Sequence, residues 1–154
     1  DLTPELVASL AAEFPNFAGI KDTVDCQSHT RSMIQTTRAV RKDFAVLSGY
    51  DEYYIPNLLA GGAGIISGLN NVMPELFVSA REAFKQGDLA ALRDIQDQIG
   101  TYMSIYAIGE DFVTTIKTVV SRKFGYCTGV SRNAGGELNE SECRTIDEVF
   151  VVKG

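Results

Sequence analysis

The sequence is poor in the residues that announce much common chemistry. It holds one histidine, His29, beside Ser28 and Thr30 at a predicted helix start; that position is expected to be exposed and no nucleophile pattern surrounds it, so a Ser/His/Asp set has little to build on. The three cysteines, Cys26, Cys127 and Cys143, are odd in number and widely spaced. They fit neither a metal-ligand pattern nor a disulfide framework, and they read as reduced thiols in a cytoplasmic protein. The carboxylates show no spacing that suggests a metal site either. Positive charge is scarce: 14 Lys and Arg against 20 Asp and Glu leave a formal net charge of -6. Nucleic acid and anionic membrane, which select for basic patches, are therefore poor partners. Apolar runs are broken by charge or glycine well short of the ~20 residues that span a bilayer. The opening DLTPELV has no basic or apolar leader region, so no signal peptide is expected. With no initiator methionine, the sequence reads as the remainder of something longer.

What is present suits a globular core. The 154 residues are 45% hydrophobic and 22% charged, about one domain's worth of chain. Thr3 followed by Pro4 is a helix start, a capping hydroxyl with proline in the first turn. Leu6, Val7, Leu10, Ala11 and Phe14 then share one helical face. FAGI (17–20), FAVLSG (44–49) and GIIS (64–67) are short, apolar and non-alternating, as parallel strands covered on both faces are. Between and after them the patterns predict helices over 28–40, 52–60, 74–85, 88–108 and 111–124, with Gly125 as a C-cap. An Asn- and Gly-rich loop follows Gly129, and Asn139 is placed to cap a final helix.

Strands alternating with helices imply right-handed βα units and a parallel sheet, either open and doubly wound or part of a (β/α)8 barrel. The glycine-rich AGGAGIISG (60–68) precedes a strand instead of joining a strand to a helix, so it lacks the context of a phosphate loop. In a barrel, chemistry sits at the C-terminal ends of strands. Those ends read K-D-T, S-G-Y-D-E and S-G-L-N-N, and all three are polar.

Each polar end supports two readings. Lys21 is either a strand-end charge, paired with Asp22 or simply solvated, or an amine desolvated enough to attack a ketone. Gly49 permits a sharp exit from the second strand. Asp51 and Glu52 after it either accept hydrogen bonds from substrate hydroxyls or favour the start of the next helix through its dipole. Around GIISG, a backbone amide or the Ser67 hydroxyl is available to a carboxylate or ketone, unless the segment is plain strand packing. Tyr53 and Tyr54 read as core or interface aromatics.

Together GIKDT (19–23), LSGYDE (47–52), LLAGGAGIISG (58–68) and NNVMPEL (70–76) resemble the pyruvate-dependent class I aldolases of the dihydrodipicolinate synthase and N-acetylneuraminate lyase family. The resemblance runs from about residue 3 to about residue 125. It implies an α/β fold, the C-terminal portion of a (β/α)8 TIM barrel comprising strands six to eight, with a C-terminal helical appendage. Residues 1–87 would form the βα units, and 88–154 the last barrel helix and the helical region. Carried over by position, Lys21 matches the lysine that forms a Schiff base with a 2-keto acid. Thr23 matches a substrate-contacting position, and Ile66 the strand-eight residue whose backbone lies against the pyruvyl unit. Gly49, Asp51, Glu52 and Ser67 complete the implied substrate-binding set. GYDE resembles the branch that handles 2-keto-3-deoxy sugar acids, whereas dihydrodipicolinate synthases more often carry a GDD-like segment. Where the sialic acid lyases place a serine at the end of strand eight, this chain has Gly68, with Ser67 one residue earlier and facing the other way.

The implied activity is reversible aldol cleavage of a 2-keto-3-deoxy sugar acid, with a 4-hydroxy-tetrahydrodipicolinate synthase-type condensation or N-acetylneuraminate lyase activity as alternatives. The implied covalent intermediate on Lys21 calls for neither metal nor organic cofactor. The expected partners are a small 2-keto acid and further copies of the protein, the family being usually tetrameric. The family's relay tyrosine lies on the fifth strand and its carboxylate-binding hydroxyls after the second. The isolated chain is therefore expected to be inactive, and an unpaired edge at FAGI to invite association. A non-catalytic half-barrel is the reading from another class.

Overall fold

The computed structural model describes residues 1–132 and 136–151, in two compact units, Asp1–Ser67 and Gly68–Gly154. The predicted Asn- and Gly-rich loop after Gly129 lies partly outside the described residues, at 133–135.

The first unit is built from βα repeats. Helix α1 (Pro4–Glu13) starts where expected: the Thr3 hydroxyl accepts the Leu6 amide at 3.3 Å, with proline in the first turn. Strands β1 (Gly19–Asp22), β2 (Ala45–Ser48) and β3 (Gly64–Ile65) are all parallel, in the order β1-β2-β3. Helices α2 (Gln27–Val40) and α3 (Tyr54–Ala60) fill the connections, the latter preceded by a 3-10 turn over Asp51–Tyr53. The register sets Lys21 beside Leu47, and Leu47 beside Gly64.

Residue alternation gives the sheet two unlike faces. Ile20 and Val46 point toward the helices and join Val7, Met33, Ile34 and Phe44 in one core. Phe17 meets Phe44 edge to face, with ring centroids 5.0 Å apart. Met33 is almost wholly buried, so truncating it to alanine costs about 2–5 kcal/mol. On the opposite face Lys21 and Ile66 are exposed and Leu47 is half-buried. Among the described residues the expected cover on both faces is thus seen on one, where α1 and α2 pack on the side that Ile20 and Val46 face.

The first strand also runs two residues later than its apolar run suggests. Phe17 anchors the core from outside the ladder, whereas Lys21 and Asp22 pair with Leu47 and Ser48. Two charges are admitted to a strand here because one side chain faces the exposed side and the other finds buried donors.

The second unit is helical. Helix α4 (Pro74–Gln86) turns through Gly87, whose φ of 70° suits glycine, into α5 (Leu89–Tyr102), which Asp88 caps at the Ala91 amide. The single helix predicted over 88–108 ends at Tyr102 and tightens into a 3-10 segment, Met103–Ala107. Glycine, aromatic and β-branched residues there weaken the wider helix. Helix α6 (Phe112–Phe124) begins on Asp111 and ends on Gly125 in the left-handed region. Helix α7 (Glu140–Ile146) carries a full capping box from Asn139 and Glu142 and continues as a π-helical turn, Asp147–Val151. No helix among the described residues is long and apolar enough to cross a membrane.

Candidate active site

The C-terminal ends of β1 and β2 bring three of the sequence-predicted residues together. A β-carbon placed on Gly49 would stand 2.1 Å from Thr23 Oγ1 and 2.9 Å from Lys21 Cε. Residue 49 is therefore the floor on which the Thr23 side chain and the end of the Lys21 side chain rest, and only glycine leaves room for both. The Gly49 amide donates to the Asp22 carbonyl at 2.7 Å, which closes the two strand ends on each other. The ladder to the third strand is carried past β3 by the Ile66 amide, which donates to the Ser48 carbonyl at 2.9 Å. Ile66 itself is 49% exposed, on the same face as Lys21.

Asp51 and Ser67 form a second cluster. Asp51 is buried, and the Ser67 hydroxyl donates to its Oδ1. The carboxylate thereby ties the turn after β2 to the segment after β3. The N-cap of that turn is Tyr50 rather than Asp51. Glu52, next in the turn, is half-buried. Tyr54 is buried, as read from sequence, while Tyr53 points its hydroxyl at Asp25 Oδ1, 2.6 Å away. That carboxylate pushes the Tyr53 pKa up to about 12.

Lys21 has no ion pair among the described residues. The pairing with Asp22 that its neighbour in sequence suggested does not form, because consecutive strand residues point to opposite faces. The Asp22 carboxylate is 5% exposed and turned toward α2. There it accepts the Thr30 hydroxyl at 2.6 Å and lies 3.2 Å from His29 Nδ1. His29 is accordingly half-buried, not exposed as its sequence context suggested, and its Nε2 lies 3.1 Å from the Leu2 carbonyl. The sequence carried one hint of this network: a carboxylate on a core-facing strand position requires a donor.

A cavity of about 300 Å³ lies between α2 and α3, lined by Ser28, Arg31, Tyr53 and Asn57 among others. It contains none of the predicted site residues. Among the described residues no group of three His, Cys, Asp or Glu side chains stands together as metal ligands would.

Chemically, the strand ends offer a primary amine on an exposed face, a hydroxyl beside it and a braced carboxylate with a second one adjacent. Comparison with known proteins agrees with the sequence resemblance. The chain is 42% identical over 117 residues to the probable 2-dehydro-3-deoxy-D-pentonate aldolase YjhH of Escherichia coli K12, covering 76% of this chain and 39% of that protein. It is 34% identical over 154 residues to a 4-hydroxy-tetrahydrodipicolinate synthase of Methanoculleus marisnigri, covering 100% of this chain and 51% of the relative. The crystal structure of YagE from E. coli K12 in complex with pyruvate superimposes with a TM-score of 0.91 at 32% identity, over 97% of this chain and 50% of that one. The chain thus spans about half the length, or less, of the curated relatives it matches. A model of the dihydrodipicolinate synthetase family matches residues 1–149, and the chain belongs to that family.

Proposed function

We propose that this chain supplies strands six to eight and the C-terminal helices of a (β/α)8 barrel, and that the complete protein is a Schiff-base aldolase. It cleaves a 2-keto-3-deoxy sugar acid to pyruvate and an aldehyde, and joins the two again in the reverse direction. The observation that carries this is the placement of Lys21, its Cε against Gly49 beside the Thr23 hydroxyl, on an exposed sheet face and without an ion pair among the described residues.

The Lys21 amine attacks the keto carbon of the sugar acid, and loss of water gives a protonated imine. That imine is the electron sink, so the step needs no organic cofactor or metal. The hydroxyl on C4 gives up its proton, the C3–C4 bond breaks, and its electron pair moves into the imine to form an enamine while the aldehyde departs. Protonation at C3 and hydrolysis then release pyruvate and the free amine. Thr23 supplies a hydroxyl that contacts the bound substrate, and the Ile66 backbone lies along the pyruvyl unit. Glu52 meets the hydroxylated tail, and the buried Asp51, held by the Ser67 hydroxyl, fixes the turn that presents it. The residue that shuttles the protons is implied by the family to be a tyrosine on strand five, so we expect no turnover from the isolated chain. We further propose a cytoplasmic homo-oligomer, as the family implies.

The sugar-acid assignment draws support from GYDE and from the names of YjhH and YagE, both of them 2-dehydro-3-deoxy acid aldolases by designation. A dihydrodipicolinate-type condensation draws support from the M. marisnigri relative, which matches along the entire chain. Borohydride reduction of the intact protein in the presence of pyruvate, followed by peptide mass spectrometry, tests the common step. The adduct is expected on Lys21; its absence, or its appearance on another lysine, overturns the reading. A panel of 2-keto-3-deoxy acids, sialic acid and aspartate semialdehyde then decides the substrate. Turnover with aspartate semialdehyde alone replaces the sugar-acid assignment.

A further inference from the structure

We propose that Asp22 is a positioning residue for the Lys21 amine, held in place by Thr30 and His29; this rests on Lys21 being the Schiff-base lysine. Asp22 occupies a helix-facing strand position of the kind that Ile20 and Val46 fill with apolar side chains. A carboxylate in such a place loses hydration and must be given donors. It receives the Thr30 hydroxyl at 2.6 Å, with the His29 ring 3.2 Å away. An apolar residue would serve packing as well or better, since buried charges are often replaced by hydrophobic groups at no cost in stability. What the carboxylate adds is direction.

That direction acts on Lys21 through the strand itself. Side chains at consecutive positions leave a strand on opposite faces, so fixing the Asp22 carboxylate against α2 fixes the rotation of the strand end and aims Lys21 at the exposed face. The same residue holds the floor of the site. Its carbonyl accepts the Gly49 amide at 2.7 Å, and Gly49 is the surface on which Lys21 Cε and the Thr23 hydroxyl rest. His29 carries the anchorage one step further, because its other ring nitrogen lies 3.1 Å from the Leu2 carbonyl at the entrance to α1. The amine is thus placed from behind, by groups that never meet the substrate.

The test compares single-turnover imine formation in the intact protein, trapped with pyruvate and borohydride and mapped to Lys21. Thr30→Val removes the buried hydroxyl at nearly constant volume, and Thr30→Ser keeps it. Thr30→Val is expected to slow the maximal trapping rate about tenfold or more, with a smaller change in the pyruvate concentration giving half that rate. Thr30→Ser is expected to restore the rate, which a role in packing alone would not do. Asp22→Asn and the half-exposed His29→Gln provide the same comparison should Thr30→Val fail to fold by circular dichroism, and both are expected to be slow. Wild-type rates in folded variants overturn the positioning role while leaving the aldolase reading intact. A wild-type protein that forms no adduct on Lys21 overturns the aldolase reading itself, and this inference with it.

Discussion

Thr23 Oγ1 occupies the position, 2.1 Å from a would-be β-carbon, that a side chain on Gly49 would need. The two residues each follow the last residue of a strand, β1 and β2, and are fitted to each other, with Lys21 Cε completing the contact at 2.9 Å. Gly49→Ala is therefore expected to push both side chains off the strand ends. Because the change is confined to the exposed face, the far-ultraviolet circular dichroism of the intact protein should not alter. Adduct formation with pyruvate should fall about a hundredfold, the scale of a misplacement near 1 Å. A variant that traps pyruvate as fast as the wild type would show that Gly49 does not seat the amine.

Gly68 has its own reason for lacking a side chain. Within the second unit, a β-carbon there would come within 2.2 Å of the Tyr106 hydroxyl oxygen and 3.0 Å of Ile116 Cδ1. The serine that the sialic acid lyase branch implies at this point has no space. Gly68→Ala is expected to lower stability by about 1–3 kcal/mol, read from the urea midpoint. Adding Tyr106→Phe removes the obstructing oxygen, so the double variant should lose less than the sum of the single ones.

The Ser28 hydroxyl, 3.0 Å from Cys26 Sγ, and the His29 amide lower the Cys26 thiol pKa below its ordinary value. A lowered value leaves a larger thiolate fraction at neutral pH, and the thiolate is the nucleophile. Iodoacetamide at limiting concentration should therefore label Cys26 before Cys127, which is also exposed, and before the half-buried Cys143. Ser28→Ala should erase the preference, as peptide mass spectrometry will report.

Acid should act on α6 through Asp111. Hydrogen bonds from the Thr114 hydroxyl and from the Val113 and Thr114 amides hold this carboxyl below the usual carboxylate range. A depressed folded-state value means the carboxylate's contribution is complete above the unfolded value of about 3.9 and is lost as the pH falls through the folded one. The thermal midpoint should accordingly drop more steeply below pH ~4 in the wild type than in Asp111→Asn, whose cap does not titrate. Parallel acid limbs in the two proteins would remove Asp111 from the account.

Local features were legible in the sequence because the groups that make them lie within a few residues of each other. Thr3 and Pro4 started α1, Gly125 ended α6 and Asn139 opened α7, each through contacts at most a few residues away. The alternation of strands and helices and the polar strand ends were equally plain, since burial and turn chemistry write themselves into short runs. Tertiary structure alone decided the rest. Nothing in FAGIKD says that Phe17 stays outside the ladder while Lys21 and Asp22 enter it; that depends on the register with β2. The contact of Gly49 with Thr23, the bond from Ser67 to Asp51 and the clasp of Asp22 by Thr30 and His29 join residues brought together only by strand pairing and helix packing. Residue types alone mark which side chains have chemistry to offer. Where the Lys21 amine points, and what holds it there, follows from the alternation of a strand whose two faces only the packed helices make different.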